Sequence, residues 1–142
     1  MRHTALLYFV GPAGAGKSTL VASLQEWLAL QRFEGLALNL DPGAETLPYS
    51  AAIDVRERFT LREVMAEYGL GPNGAQVVCA DLLAIELEWL QQELDGVNCD
   101  YVLADAPGQT ELFLYREAPQ VLVRGLSPRT GLVMLFDPLL SR

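Results

Sequence analysis

The feature that most constrains this chain is one run near its start, Gly11-Pro12-Ala13-Gly14-Ala15-Gly16-Lys17-Ser18. It fits the spacing GxxxxGK[ST] with no mismatch. Glycines and alanines let successive backbone N–H groups curl around a phosphate, and a following helix aims its positive end at the same point. In that arrangement Lys17 reaches the outer phosphates and the Ser18 hydroxyl is placed to ligate Mg²⁺. The bland alternative is an ordinary glycine turn. Its flanks argue otherwise. Thr4 to Val10 (TALLYFV) is a short β-rich run, as a buried parallel strand would be. From Lys17 to Gln31, apolar residues at 20, 21, 24, 27 and 28 follow the amphipathic-helix pattern.

Composition sharpens the reading at this position. Of the ten basic residues nine are arginine, and Lys17 is the only lysine. A chain that otherwise uses arginine has its one compact, rotatable ammonium where a phosphate donor is wanted. The formal net charge of −8 argues against a nucleic-acid-binding face, which would be basic. With 51% hydrophobic and 20% charged residues, the chain is not of disordered type. Its 142 residues suit a single domain.

The apolar run Ala5 to Val10 is six residues, against about 20 for a membrane span, and it has no signal-peptide flanks. Cys79 and Cys99 form no CxxC pair and no ligand cluster with His3, so buried free thiols are expected. The expectation is a cytoplasmic protein with no membrane or direct nucleic-acid partner.

Further along, Leu36 to Leu40 (LALNL), Tyr101 to Asp105 (YVLAD) and Gly131 to Phe136 (GLVMLF) read as short strands. Asp41 to Glu57 is a stretch of turn formers and charge. Thr60 and Glu63 have the spacing of a helix-capping box. Leu70 to Gly74 (LGPNG) reads as a loop, and Asp81 to Leu94 as a helix with Leu83, Leu87, Leu90 and Leu94 on one stripe. Trp27 and Trp89 are expected as core anchors. Strands alternating with helices predict an α/β domain with a mostly parallel sheet and right-handed crossovers. In such sheets ligands bind beyond the carboxyl ends of the strands, where Gly11, Asp41, Asp105 and Asp137 fall.

Two of those strand ends carry candidate chemistry. Asp105-Ala106-Pro107-Gly108-Gln109 follows YVLAD. A strand-terminal aspartate opposite a phosphate loop can hold Mg²⁺ through water, and Gly108 can offer its N–H to a γ-phosphate. Gln109 suits the orientation of an attacking water, and Glu111 adds a carboxylate near it. The alternative is a strand ending in a Pro-Gly turn. Asp41-Pro42 is a second strand-end carboxylate; it either shares the metal's water shell or polarises the nucleophile, or merely initiates a turn.

In order, GPAGAGKST (11–19), NLDPGAE (39–45), the Tyr49…Ile53-Asp54-Val55-Arg56 stretch, LGPNG (70–74) and DAPGQTE (105–111) resemble the GPN-loop GTPases, a group of P-loop NTPases. The resemblance runs through nearly the whole chain. It implies the three-layer P-loop NTPase sandwich, GTP as substrate, Mg²⁺, and a phosphate site built from residues 11–18 with Thr19 and Gly108. It further implies a homodimer in which Gly71, Pro72 and Asn73 of one subunit reach the other's site. Asn73 would approach the γ-phosphate or catalytic water in trans, with Asp41, Asp105, Gln109 and Glu111 around that water.

Eukaryotic relatives are associated with RNA polymerase assembly, which by analogy alone suggests a client protein. Gly43 and Ala106 stand where the family usually has Ala and Thr. Family members are longer and carry an Asn-Lys-x-Asp segment that reads guanine. With no lysine beyond Lys17, that segment is not in this sequence. The expectation is therefore the N-terminal portion of a longer GTPase domain. Two other readings stand beside it: a nucleotide-binding interaction module with little turnover, and a P-loop small-molecule kinase closing Arg116, Arg124 and Arg129 as a lid.

Overall fold

The computed structural model describes residues 4–11 and 16–107, together with the backbone of 130–134. His3, Pro12, Ala13, Gly14, Ala15, Gly108, Gln109, Glu111, Arg116, Arg124, Arg129 and Asp137 lie outside the described residues.

The elements run β1 (Ala5–Val10), α1 (Lys17–Leu30), β2 (Gly35–Asn39), β3 (Ala51–Asp54) and a 3₁₀ turn (Val55–Glu57). After them come α2 (Leu61–Tyr68), α3 (Pro72–Ile85), α4 (Leu87–Asp95), β4 (Tyr101–Asp105) and β5 (Thr130–Met134). The five strands form one sheet in the order β3-β2-β4-β1-β5, and every pairing is parallel. This is the expected α/β class.

Period-two alternation divides the strand residues between two cores. Leu6, Tyr8, Val10, Leu38, Val102 and Ala104 turn to one face and pack with Val64 of α2, Cys79 and Leu83 of α3, and Leu90 and Leu94 of α4. Phe9, Ala37 and Leu103 turn to the other, against Val21 and Leu28 of α1 and the ring of Tyr49. Both cysteines are free and buried. Among the described residues no helix is long and apolar enough to cross a membrane.

Several expectations need correction. The segment 41–57 contains a strand, β3, which pairs with β2 through a register shift at Ala37/Leu38. Its four residues, Ala-Ala-Ile-Asp, are too short and too weak in β-propensity to stand out among turn formers. LGPNG is not wholly a loop: Gly71 is the N-cap of α3, and Pro72 occupies the first helical position, where its missing N–H costs nothing. The expected helix at 81–94 begins nine residues earlier and is interrupted at Glu86, where α3 gives way to α4.

Trp27 is not a core anchor. It is 54% exposed, because α1 meets the sheet along the narrow line of Val21 and Leu28. Trp89 is half-buried at the margin of the larger core, with the Arg58 guanidinium 5.3 Å above its ring. The capping expectation holds in its first half: the Thr60 side chain accepts from the Glu63 N–H at 3.2 Å, and Gly69 ends α2 in the left-handed conformation.

Candidate phosphate and metal site

The site stands where β1, β2 and β4 end together. Phe9 of β1 and Asn39 of β2 are both in register with Asp105, the last residue of β4. The backbone carries the alignment past the strands: Leu40 N–H donates to Asp105 O at 2.9 Å, and Ala106 N–H to Phe9 O at 3.1 Å. Three stretches distant in sequence thus reach one crevice edge, as the parallel topology requires.

Between β1 and α1, Gly16 has φ +83°, a conformation that an L side chain adopts only with strain. An added Cβ would meet nothing within 4 Å, so the requirement for glycine here is conformational, not steric. Gly16 caps α1, and Lys17 and Ser18 open it, which puts both side chains at the helix's positive end. Gly11 is buried at the end of β1, while Gly16 and Thr19 are exposed.

Asp105 is the hub. It is 1% exposed and has three side-chain partners among the described residues. Ser18 Oγ donates to its Oδ2 at 2.7 Å, and Tyr49 Oη donates to the same oxygen at 2.6 Å. Lys17 Nζ lies 3.3 Å from Oδ1 as an ion pair and donates to the Ala106 carbonyl. Among the described residues Oδ1 itself accepts no hydrogen bond. A buried carboxylate oxygen left in that state is an opening for a further donor or a cation. Burial above all, and then the hydrogen bond to Asp105, push the Tyr49 hydroxyl far above its ordinary range, so it remains a donor.

Asp41 lies two residues past β2 and beside this hub. Its Oδ1 accepts from Gly43 N–H at 2.9 Å, so it does initiate a turn. The same carboxyl is raised above its ordinary range. Burial is the main cause and Asp105 adds to it, while the Gly43 N–H and Lys17 pull it back. Turn former and site carboxylate are therefore one residue. Gly71, Pro72 and Asn73 are exposed at the head of α3, an element separate from those that carry Lys17, Ser18 and Asp105.

The hard oxygen donors at this point, a serine hydroxyl and a buried carboxylate, are the type that Mg²⁺ takes. The Oδ1 of Asp105, which accepts no hydrogen bond among the described residues, fits the same requirement. Sequence reasoning placed Lys17, Ser18 and Asp105 correctly as neighbours. It assigned no part to Tyr49, Asn39, Asp54 or Arg56. Asn39 shows as a polar residue inside an apolar strand and, like Tyr49, lies in a stretch that resembles the family, but nothing local points from Tyr49 to its partner 56 positions away.

A parallel sheet, the GPAGAGKS sequence between its first strand and helix, and a lysine and serine converging on a strand-end aspartate define a P-loop nucleotide-binding protein. Residues 9–142 match a family described as "conserved hypothetical ATP binding protein". Similar relatives include GPN-loop GTPase 3 of Gibberella zeae, 41% identical over 83% of this chain and 40% of its own length. Another is GPN-loop GTPase 2 of Xenopus tropicalis, 45% identical over 81% of this chain and 38% of its own length. The crystal structure of a GTPase in apo form from Pyrococcus abyssi superposes with a TM-score of 0.78 at 38% identity, covering 92% of this chain and 52% of that one. The chain belongs to the GPN-loop GTPase family. It spans about two fifths of the length of the curated relatives it matches.

Proposed function

We propose that the protein binds GTP with Mg²⁺ and hydrolyses it to GDP and phosphate, acting as a dimeric switch. One observation carries the reading: Lys17 and Ser18, at the positive end of α1, converge on a single buried carboxylate, Asp105. The names of the relatives supply GTP as the nucleotide.

Catalysis on this reading is positioning plus charge stabilisation. Residues 11–16 and Lys17 hold the phosphates, with Thr19 and Gly108 completing the cradle. Ser18 and Asp105 would hold Mg²⁺, with Asp41 as a further candidate carboxylate. When bound, the ion offsets charge on the phosphate oxygens. Tyr49 keeps the Asp105 carboxylate oriented toward Ser18. Asp41, Gln109 and Glu111 orient the attacking water, and Asn73 of a second subunit approaches it in trans. The exposed position of Asn73 at the head of α3 supports such a reach.

Single-turnover hydrolysis of GTP with Mg²⁺ tests the assignment. Lys17→Ala abolishes phosphate release, and Gln109→Ala and Glu111→Ala each slow it. Wild-type rates in both of the latter refute the water-positioning pair. Nucleotide binding with no phosphate release from the wild type would instead favour an interaction module. Competition of GTP against ATP decides the base. Mixing Asn73→Ala with Lys17→Ala subunits restores activity if Asn73 acts across a dimer, and no recovery in heterodimers refutes that part.

A further inference from the structure

Asp41 is held directly by Asn39 and Gly43, and Arg56 holds the rest of its turn from outside the phosphate site. Arg56 stands on the 3₁₀ turn after the edge strand β3. Its Nε lies 3.0 Å from Asp54 Oδ2 and its Nη2 2.7 Å from the same oxygen, and Nε is 3.1 Å from Oδ1. The remaining arm, Nη1, donates to the backbone carbonyls of Ala44 at 2.9 Å and Glu45 at 3.2 Å. One planar guanidinium therefore ties a carboxylate to the far end of the Asp41–Glu45 turn.

The carboxylate passes the constraint to the near end. Asp54 Oδ1 accepts from Asn39 Nδ2 at 2.9 Å. Asn39 is fully buried and brackets the backbone of Asp41: its Oδ1 accepts from Asp41 N–H at 3.0 Å, and its Nδ2 donates to Asp41 O at 3.1 Å. Both ends of the turn thus hang from the Arg56–Asp54 pair. At the near end the turn presents the Asp41 carboxylate, which accepts from the Gly43 N–H. A second link to the same turn differs in kind. Arg62 and Glu45 approach only to 3.6 Å, with both side chains more than four-fifths exposed, and a surface pair of that sort fixes little.

We propose that Arg56 is a positioning residue for hydrolysis, acting through Asp54 and Asn39 to aim the Asp41 carboxylate at the attacking water. The inference rests on the reading of Asp41 as a water-side carboxylate. The guanidinium fork is essential to it, since a lysine ammonium has its three donors on one nitrogen and cannot grip both Asp54 oxygens while reaching two carbonyls on the other side. Displacing a reacting group by about 1 Å costs up to about a hundredfold in rate.

The test compares Arg56→Lys, Asp41→Ala, the double variant and Arg62→Ala, using GTP and Mg²⁺. Arg56→Lys is expected to lower the single-turnover rate about ten- to hundredfold. Its dissociation constant for GTP stays within about threefold, because the phosphate cradle is untouched. Arg56→Lys adds no further loss to Asp41→Ala, and Arg62→Ala keeps the wild-type rate. By amide exchange, the Asp41 and Gly43 N–H groups lose protection in Arg56→Lys, while those of β1 and α1 keep theirs.

Should Arg56→Lys fail to fold, the isosteric Asp54→Asn carries the same expectations. A wild-type rate in Arg56→Lys beside an inactive Asp41→Ala overturns the proposal and leaves the reading of Asp41 standing. Multiplying losses in the double variant also overturn it. A wild-type rate in Asp41→Ala overturns the reading beneath and the proposal with it, and unchanged exchange at Asp41 and Gly43 removes the mechanical link itself.

Discussion

Replacing Tyr49 by Phe removes one oxygen and leaves the ring, which makes it a clean probe of the Asp105 hub. The ring is 9% exposed and packs with Phe9, Val21, Leu28, Ala37 and Leu103, so those contacts survive the substitution. What disappears is a 2.6 Å hydrogen bond to a carboxylate that is 1% exposed. Among the described residues, Asp105 Oδ2 then keeps only Ser18 Oγ, and Oδ1 only the Lys17 ion pair. A hydrogen bond to a charged group contributes about 1.5–3 kcal/mol. Unfolding entropy of about 2.1 cal/mol/K per residue converts that loss to a fall in Tm of about 5–10 °C for this chain.

Urea denaturation and thermal melting of Tyr49→Phe measure the loss directly. In an Asp105→Asn background the acceptor is a neutral carboxamide, and the same substitution should cost only about 1 kcal/mol. The difference between the two is the coupling read by a double-mutant cycle. A loss below about 0.5 kcal/mol in the native background, within the range of an ordinary surface change, would show that the hydroxyl does not support the carboxylate.

Three further outcomes are expected. Arg32, just past α1, has φ +66° without being glycine; Arg32→Gly should stabilise by about 0.5–1 kcal/mol, and an unchanged or lower midpoint in urea refutes the claim of strain. Burial pushes the Asp54 carboxyl up, but hydrogen bonds from the Arg56 side chain and backbone and from Asn39 outweigh it and hold it below its ordinary range. The stability it contributes is therefore complete above its unfolded value of about 3.9 and lost as pH falls through the lower folded value. Asp54→Asn should flatten the stability curve below about pH 4, and superimposable acid limbs would contradict this. Burial, with a smaller push from Asp41, raises the Cys79 thiol to about 11 and burial likewise raises Cys99. Both should react slowly with a thiol reagent at mildly alkaline pH in the native protein and promptly in denaturant; prompt native labelling would refute their burial.

Features that depend on neighbours in the chain were legible. Gly16 as the cap of α1, the strand before it and the helix that Lys17 and Ser18 open were all readable, because glycine conformation, capping and periodicity act over a few residues. The Thr60 cap was readable for the same reason. Burial along α1 was not. Leu20 and Trp27 share the apolar periodicity with Val21 and Leu28, yet the first two are exposed and the last two buried. The choice belongs to the sheet surface beneath. The start of α3 at Pro72 was hidden by turn-forming residues that serve equally well as a helix head.

What the sequence determined by itself was the class of the protein: a P-loop sequence at a strand–helix junction, with carboxylates at later strand ends. Only the tertiary structure decided which of those groups meet. Parallel pairing of β1, β2 and β4 brings Ser18 to Asp105 across 87 positions and Tyr49 to it across 56. It also gathers Asn39, Asp54 and Arg56 around the turn that carries Asp41. Those meetings follow from strand order and register. Order and register are set by the packing of two apolar faces over the whole sheet, which no local window of residues contains.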